Sequence, residues 1–128
     1  MSALLVLERI DAYYGASHVL QGVSLTVGAG EVVLLLGRNG AGKTTVMRTI
    51  MGLVATKGDR IAFRGQDLRG MPPHRIARLG IGLVPEDRRM FAKLSVLENL
   101  DVGRKDPADG HAGSTWEEER VFELFPAL

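Results

Sequence analysis

The 128-residue sequence contains no cysteine and lacks long apolar runs, and each absence excludes a class of protein or site. Without cysteine the chain forms no disulfide and no thiolate-ligated metal site, although this absence does not indicate a cellular compartment. Its three histidines, His18, His74 and His111, lack the spacing of metal ligands. The apolar run at residues 32–36 is far shorter than the roughly 20 residues that a membrane-spanning helix needs.

The sequence also has no large excess of basic or acidic residues, because 16 basic and 15 acidic residues leave a formal net charge of +1. Such a balance gives no field that favours nucleic acid or an anionic membrane. The pair Arg88 and Arg89 is weak evidence for a nucleic-acid interface, since no wider basic patch surrounds it. With 45% hydrophobic and 24% charged residues, the chain can build a core. We therefore expect a cytoplasmic globular domain, or part of one, that binds no nucleic acid.

Apolar patterning divides the chain into strands that alternate with helices. Strands are predicted at residues 4–10, 19–27, 31–36, 59–64 and 81–84, and helices at residues 43–51 and 72–79. Further helices are expected after the capping-box candidates that begin at Ser95 and Ser114. Within these predicted strands, the runs at 32–36 and 81–84 carry no charged or polar side chain, as in parallel strands that are covered on both faces. The pattern predicts an α/β fold with a mixed sheet, antiparallel near the N-terminus and parallel in its core.

A glycine-rich segment joins a predicted buried strand to a predicted helix. Residues 37–45 read GRNGAGKTT and match the phosphate-loop pattern G-x-x-x-x-G-K-[ST]. Glycine takes positive φ at no steric cost, so such a loop can point successive backbone N–H groups at phosphate oxygens. The residues expected to form this cradle are Gly37, Arg38, Asn39, Gly40, Ala41 and Gly42.

The two residues that follow the cradle have specific expected roles. Lys43 is expected to reach the β- and γ-phosphates, and Thr44 to place its hydroxyl on Mg²⁺. The alternative is a glycine-rich strand-to-helix turn with a merely exposed lysine, which the flanking strand and helix disfavour. The sequence therefore predicts a nucleoside triphosphate site.

The whole chain resembles the ATP-binding subunits of ABC transporters. The resemblance is carried by YYG at 13–15, VLQGVSLTVGAGEVVLLLGRNGAGKTT at 19–45, GDRIAFRGQDL at 58–68 and IGLVPEDRRMFAKLSVLENL at 81–100. The last stretch, with the closing FELFPAL, is most similar to subunits that serve importers of branched-chain amino acids, amides or urea. The resemblance implies a P-loop NTPase core, ATP and Mg²⁺ as ligands, a second ATP-binding subunit, and transmembrane permease partners. It also implies a position on the inner face of the cell membrane.

The resemblance assigns further site residues. Tyr14 matches the aromatic residue that stacks on adenine; Tyr13 takes that place if the strand register differs by one, and either is otherwise a surface tyrosine. Thr45 matches the second hydroxyl of the motif, near the α-phosphate. Glu86 stands where the family has a glutamine that touches Mg²⁺ and the attacking water.

The carboxylate of Glu86 changes the chemistry expected at that position. It offers Mg²⁺ a hard oxygen ligand, but it also brings negative charge towards the γ-phosphate. The alternative is that Glu86 only caps its loop. The resemblance thus gives Lys43 and Glu86 as catalytic residues, and Thr44 and Glu86 as metal ligands.

The loop around residues 86–91 is the implied contact with the permease subunits. On this interpretation Asp87, Arg88 and Arg89 lie on the face that receives the permease's coupling helix. The alternative is an ordinary solvated run of charges.

Motifs that hydrolysis needs in this family are missing from the sequence. It has no LSGGQ-type signature, no acidic pair after a Walker-B strand and no switch histidine. We expect residues 1–128 to be the N-terminal portion of an ABC ATP-binding domain, from the phosphate loop through the Q-loop region to the start of the helical subdomain, and incomplete at the C-terminus. The last predicted helix would then carry an uncovered apolar stripe of Val121, Phe122, Leu124, Phe125 and Leu128.

Such a chain is expected to bind nucleotide weakly at most and not to turn over on its own. Two other readings stay open. One is a non-catalytic nucleotide-binding fragment, and the other is a soluble ABC-type ATPase of repair or translation.

Overall fold

The computed structural model describes residues 3–38, 42–87, 89–103 and 117–128. The chain forms two compact units, and the boundary between them lies between residues 77 and 78. The first unit holds five strands and two helices, the second of which ends one residue past the boundary: β1 (Leu5–Tyr14), β2 (Ser17–Val27), α1 (Lys43–Ile50), β3 (Ala55–Lys57), β4 (Arg60–Phe63), β5 (Gln66–Asp67) and α2 (Pro73–Arg78). The second unit holds α3 (Val96–Val102) and α4 (Glu118–Leu124).

Strand β1 is the centre of the sheet in the first unit. It pairs antiparallel with β2 on one side and with β3 and β4 on the other, and β5 extends the sheet beyond β4. The β1–β2 hairpin closes over two residues, and Gly15 has φ 58° at the first of them, a conformation that glycine adopts without strain. The prediction of antiparallel strands near the N-terminus is confirmed, with β1 extending to Tyr14.

A bulge at Arg9 divides β1 into two halves. Arg9 has φ 46°, its backbone N–H donates to Ser24 Oγ at 2.9 Å, and its guanidinium forms an ion pair with Asp59. Before the bulge β1 pairs with β4, and after it with β3. An extra residue of this kind bends a strand and lets one strand serve two neighbours.

The core of the first unit lies between the sheet and its helices. Leu7 and Ile10 of β1 and Ile76 of α2 are completely buried. The side chains that complete the core are Ala12, Leu20, Val46, Ile50, Met51, Ile61, Ala62, Phe63 and Leu68. Burying a large apolar side chain stabilises a fold by roughly 1.5–3 kcal/mol, so this cluster is the main source of stability in the unit.

Two predicted parallel strands are absent, so the strand predictions for residues 31–36 and 81–84 were wrong. Neither segment belongs to a strand, and Val32 and Val84 are 95% and 94% exposed. A continuous apolar run becomes a buried strand only where neighbouring segments supply a backbone ladder and cover both faces. Within the described residues every ladder is antiparallel and involves only β1–β5.

The capping box predicted at Ser95 is confirmed at the start of α3. Ser95 Oγ accepts the backbone N–H of Glu98 at 3.1 Å, and the Ser95 hydroxyl lies 3.1 Å from the carboxylate Oε1 of Glu98. The first contact satisfies one backbone donor at the start of the helix, and the second holds the Glu98 carboxylate beside the cap.

Helix α4 begins after its N-cap Glu117 and ends at Leu124, with Phe125 as its C-cap before Pro126. The predicted cap at Ser114 lies outside the described residues. The predicted apolar stripe is open where it is described, since Leu124, Phe125 and Leu128 are each more than half exposed. Among the helices of the described ranges, none has the length and apolarity to cross a bilayer, and the longest, α1, has eight residues.

Candidate functional site

The predicted phosphate loop ends at the start of α1. Gly37 and Arg38 are exposed and belong to no helix or strand, while Asn39, Gly40 and Ala41 lie outside the described residues. Gly42 is the N-cap of α1 with φ 98°, and its carbonyl accepts the Val46 N–H at 2.9 Å, which closes the first helical turn. The strand predicted before the loop is absent, but the helix predicted after it is confirmed.

Two constraints require glycine at position 42. The positive φ is one, because a side chain there would strain the backbone. Space is the other, since an added Cβ would lie 2.7 Å from Leu20 Cδ2 of β2. The end of the loop is therefore seated directly on the sheet.

Lys43 joins the two ends of the loop. Its Nζ donates to the carbonyl oxygen of Gly37 at 2.5 Å, six residues earlier in the chain. A cation in the first turn of a helix lies at the positive end of the helix dipole, where it does not stabilise the helix. Helix α1 carries no acidic residue in its first turn to compensate. The described part of the site thus places the Lys43 ammonium at the positive end of α1 with no acidic residue in its first turn, and these residues fit a phosphate group.

The two threonines of the motif have different surroundings. Thr44 is exposed, so its hydroxyl is accessible to a metal–nucleotide complex, whereas Thr45 is 6% exposed and packs toward the core. One turn further on, Thr49 is 3% exposed and its Oγ1 has no hydrogen-bond partner. The predicted metal ligand is the accessible hydroxyl of the pair.

Two tyrosines end β1, and only one has an open ring. Tyr13 stacks on His18, with ring centroids 4.5 Å apart and an interplanar angle of 16°, and Lys57 Nζ lies 5.7 Å from its centroid. Tyr14 is 42% exposed and has no such partner among the described ring contacts. Of the two candidates for adenine stacking, the geometry favours Tyr14.

An acidic residue supports the hairpin that carries these rings. Asp11 Oδ1 accepts the Gly22 N–H at 2.8 Å and lies 3.2 Å from His18 Nε2. The hydrogen bond from Gly22, followed by the one from His18, lowers the pKa of Asp11 below its usual value. The contacts hold the hairpin near the tyrosines in one register.

Glu86 lies in the second unit, apart from the phosphate loop along the chain. It is exposed, and the segment that follows is held in part by Arg89, which has φ 40° and donates from Nε to Asp87 Oδ2 at 3.0 Å. Arg88 lies outside the described residues. The described ranges contain no cluster of three or more histidines or carboxylates fit to bind a metal. The predicted ligands Thr44 and Glu86 belong to different units, and the structure describes each of them by itself.

One polar side chain of the second unit was missed by the sequence analysis. Asn99 of α3 makes hydrogen bonds to the backbone of Phe91, Leu94 and Ser95. The available signal was its position four residues after the helix cap, from which an asparagine reaches back to the preceding loop.

A cavity of about 600 Å³ lies in the first unit, beside β1 and β4. It is lined by Ala3, Leu4, Val6, Ala29, Arg60, Ala62, Arg64 and Gly65, none of which is a predicted site residue. Volume alone therefore does not identify the site, because phosphate loops bind through backbone donors on an open surface.

Comparison with known proteins agrees with the geometry of the loop. The sequence profile of the family described as "ABC transporter" matches residues 20–126, which include the whole phosphate loop and Glu86. The chain belongs to the ABC transporter family. The resemblance stated from the sequence motifs is thereby confirmed.

Members of the family with different cargoes are similar to this chain. The high-affinity branched-chain amino acid transport ATP-binding protein BraG of Pseudomonas aeruginosa is 39% identical over 127 residues, covering 98% of this chain and 53% of BraG. The lipopolysaccharide export system ATP-binding protein LptB of Haemophilus influenzae is 41% identical over 98 residues, covering 77% of this chain and 41% of LptB.

A solved ABC structure has the same fold. The ATP-binding cassette MJ1267 of an ABC transporter superposes with a TM-score of 0.60 at 27% identity, covering 98% of this chain and 53% of the cassette. The predicted fold class, a P-loop NTPase core, is confirmed by this likeness. The chain spans about half the length of the relatives it matches.

Proposed function

We propose that this chain is the nucleotide-binding part of an ATP-binding subunit, and that the subunit drives an importer of branched-chain amino acids. The observation that carries the nucleotide site is the start of α1, where Lys43 reaches back to Gly37 and Gly42 holds the positive φ of the cap. The cargo assignment is supported by the similarity to BraG along 98% of this chain.

On this proposal each residue of the loop has a separate task. ATP bound with Mg²⁺ supplies the phosphoryl bond whose cleavage drives transport. The backbone N–H groups of residues 37–42 hold phosphate oxygens, and Lys43 donates to the β- and γ-phosphates. Thr44 offers its exposed hydroxyl to the metal, Thr45 lies near the α-phosphate, and Tyr14 stacks on adenine.

The second unit supplies the coupling to transport. Glu86 offers a carboxylate oxygen to Mg²⁺ and orients the attacking water. Residues 86–91 contact the permease subunits at the inner face of the membrane. A second ATP-binding subunit faces the phosphate loop, as the resemblance to ABC transporter subunits implies.

The nucleotide site is tested by substituting the lysine. Lys43→Ala should raise the Kd for a fluorescent ATP analogue at least about tenfold, because a charge-assisted contact to phosphate is lost. Lys93→Ala, an exposed lysine outside the loop, is the matched control and should bind as the wild type does. Equal affinities for all three proteins would refute the phosphate site.

The cargo is tested in cells of the source organism. With Lys43→Ala in the chromosomal gene, uptake of radiolabelled leucine should fall to the level of a gene deletion. Unchanged leucine uptake, together with weakened nucleotide binding, would retain the ATP-binding role and reject amino acid import. A defect in export of lipopolysaccharide would point to the kind of cargo named for LptB.

A further inference from the structure

A single side chain holds the loop that follows Glu86 in its conformation. The Asn99 amide pairs with both backbone polar groups of Phe91: the Phe91 N–H donates to Oδ1 at 3.0 Å, and Nδ2 donates to the Phe91 carbonyl at 3.2 Å. A primary amide paired in this way imitates the backbone of a neighbouring strand. Phe91 itself belongs to no strand, so the side chain takes the place of a ladder.

The same amide also closes the loop onto α3. Nδ2 also lies 3.2 Å from the Leu94 carbonyl oxygen and 2.8 Å from the Ser95 carbonyl oxygen, so its two hydrogens are shared among three acceptors. A tight turn completes the arrangement, since the Leu94 N–H donates to the Phe91 carbonyl at 3.0 Å. The four side-chain contacts of Asn99 therefore fix a stretch of backbone that lies outside any helix or strand.

The fixed backbone presents apolar side chains outward. Met90 and Phe91 are 65% and 56% exposed, and Leu97 at the start of α3 is 52% exposed. An aromatic anchor binds a partner more tightly when its backbone is ordered beforehand, because less conformational entropy is lost on association. A free loop with the same side chains would make a weaker contact.

We propose that Asn99 is a positioning residue, which clamps the backbone of Phe91 so that Met90 and Phe91 form a pre-ordered apolar anchor for the permease. The inference rests on the proposed contact between residues 86–91 and the permease subunits. Asn99 acts through the backbone of Phe91.

The clamp is tested first in the protein alone, by hydrogen exchange at single amides. Asn99→Ala should speed exchange of the Phe91 and Leu94 amides about tenfold, as expected for the loss of several hydrogen bonds. The isosteric Asn99→Asp, which keeps the volume but loses all donations from Nδ2, should also speed exchange at Leu94. Ser95→Ala is the control, because it removes the helix cap but leaves the clamp. Protected amides in both Asn99 variants, or equal acceleration in Ser95→Ala, would overturn the clamp.

The role in docking is tested with the permease subunits in detergent. Asn99→Ala and Asn99→Asp should weaken association with the permease about tenfold and leave the Kd for the ATP analogue unchanged, while Ser95→Ala weakens it far less. If both Asn99 variants bind the permease as the wild type does, the positioning role is wrong and the proposed function stands. If the wild type binds no amino acid permease, the proposed function fails, and the exchange result still decides whether the clamp exists.

Discussion

Thr49 is the one described residue whose buried side-chain polar atom has no hydrogen-bond partner. Its hydroxyl is sealed in the face of α1 that packs on the core, where desolvation is not offset. Thr49→Val keeps the shape and removes the orphan group, so we expect the free energy of unfolding to rise by about 1 kcal/mol. Urea denaturation measures the change. Thr26→Val, on an exposed position of β2, should change stability by less than about 0.5 kcal/mol. A loss of stability in Thr49→Val would mean that the hydroxyl has a partner.

Asp67 makes the stability of the first unit depend on pH in the acidic range. Hydrogen bonds from the Arg69 guanidinium, at 2.9 Å to Oδ2 and 3.1 Å to Oδ1, and from the Arg69 backbone N–H lower the pKa of Asp67 from 3.8 to about 2. A carboxyl whose pKa is lower in the folded state stabilises the fold above its unfolded pKa, and the contribution disappears as the pH falls through the folded pKa.

Asp67→Asn should therefore unfold more easily than the wild type at pH 7 and equally easily below pH 2. The difference between the two proteins should shrink between about pH 4 and pH 2 in a series of denaturation curves. Arg69→Gln removes the partner and should abolish the same pH-dependent part. A difference that stays constant down to pH 2 would show that the ion pair does not set this pKa.

Site residues differ in how far the sequence could predict them. Lys43 follows from a local motif, because the phosphate loop and the helix after it are made by consecutive residues. Tyr14 was separated from Tyr13 only by the structure, since the stack with His18 depends on how β2 returns beside β1. Asn99 was missed because its partners are backbone groups, and only its position four residues after the helix cap indicated them.

At the scale of elements, the bulge in β1 depends on one glycine. Gly58 has φ 149°, and an added Cβ would lie 2.5 Å from the Arg9 carbonyl oxygen and 2.9 Å from the Ile10 Cα. Both are backbone atoms, which cannot move aside cheaply. Gly58→Ala should therefore lower the free energy of unfolding by about 3 kcal/mol.

A matched glycine separates crowding from backbone strain in that test. Gly70 also has a positive φ, 74°, but an added Cβ there would meet nothing within 4 Å. Gly70→Ala should cost only the conformational strain, about 1–2 kcal/mol. Equal losses in the two variants, measured by urea denaturation, would show that β1 yields at the bulge.

Helices whose start is encoded by a cap in the neighbouring residues were predicted well. Helix α1 and helix α3 have a glycine cap and a capping box, and both occur where the pattern places them. Strands β3 and β5 were missed, because three and two residues are too short to show alternation. They exist because β1 and β4 offer them a ladder. The strand prediction for residues 31–36 was wrong for the opposite reason, because a strong apolar pattern is present there and no strand forms.

At the scale of the whole molecule, the missing strand at residues 31–36 shows that a local apolar pattern does not specify the partner strand. The run 31–36 alternates in exposure, with Val32, Leu34 and Leu36 at 95%, 76% and 83% and Val33 at 39%. Its composition suits a strand, but strand formation depends on a neighbour that is distant in the sequence. Family and fold class could therefore be read from local motifs, whereas the central strand pairing could not.

The exposed run also predicts how the chain behaves in concentrated solution. Val32, Leu34 and Leu36 are large apolar side chains that are mostly exposed, and such a patch tends to associate with another apolar surface, so the chain should self-associate as its concentration rises. Leu34→Ser should raise the dissociation constant of that association about tenfold, since one leucine contributes roughly 1.5–3 kcal/mol when buried. Sedimentation equilibrium measures it, with Leu53→Ser, a leucine 51% exposed outside the run, as control. If Leu53→Ser weakens association as much as Leu34→Ser, or if the wild type stays monomeric, residues 31–36 are not the surface through which copies meet.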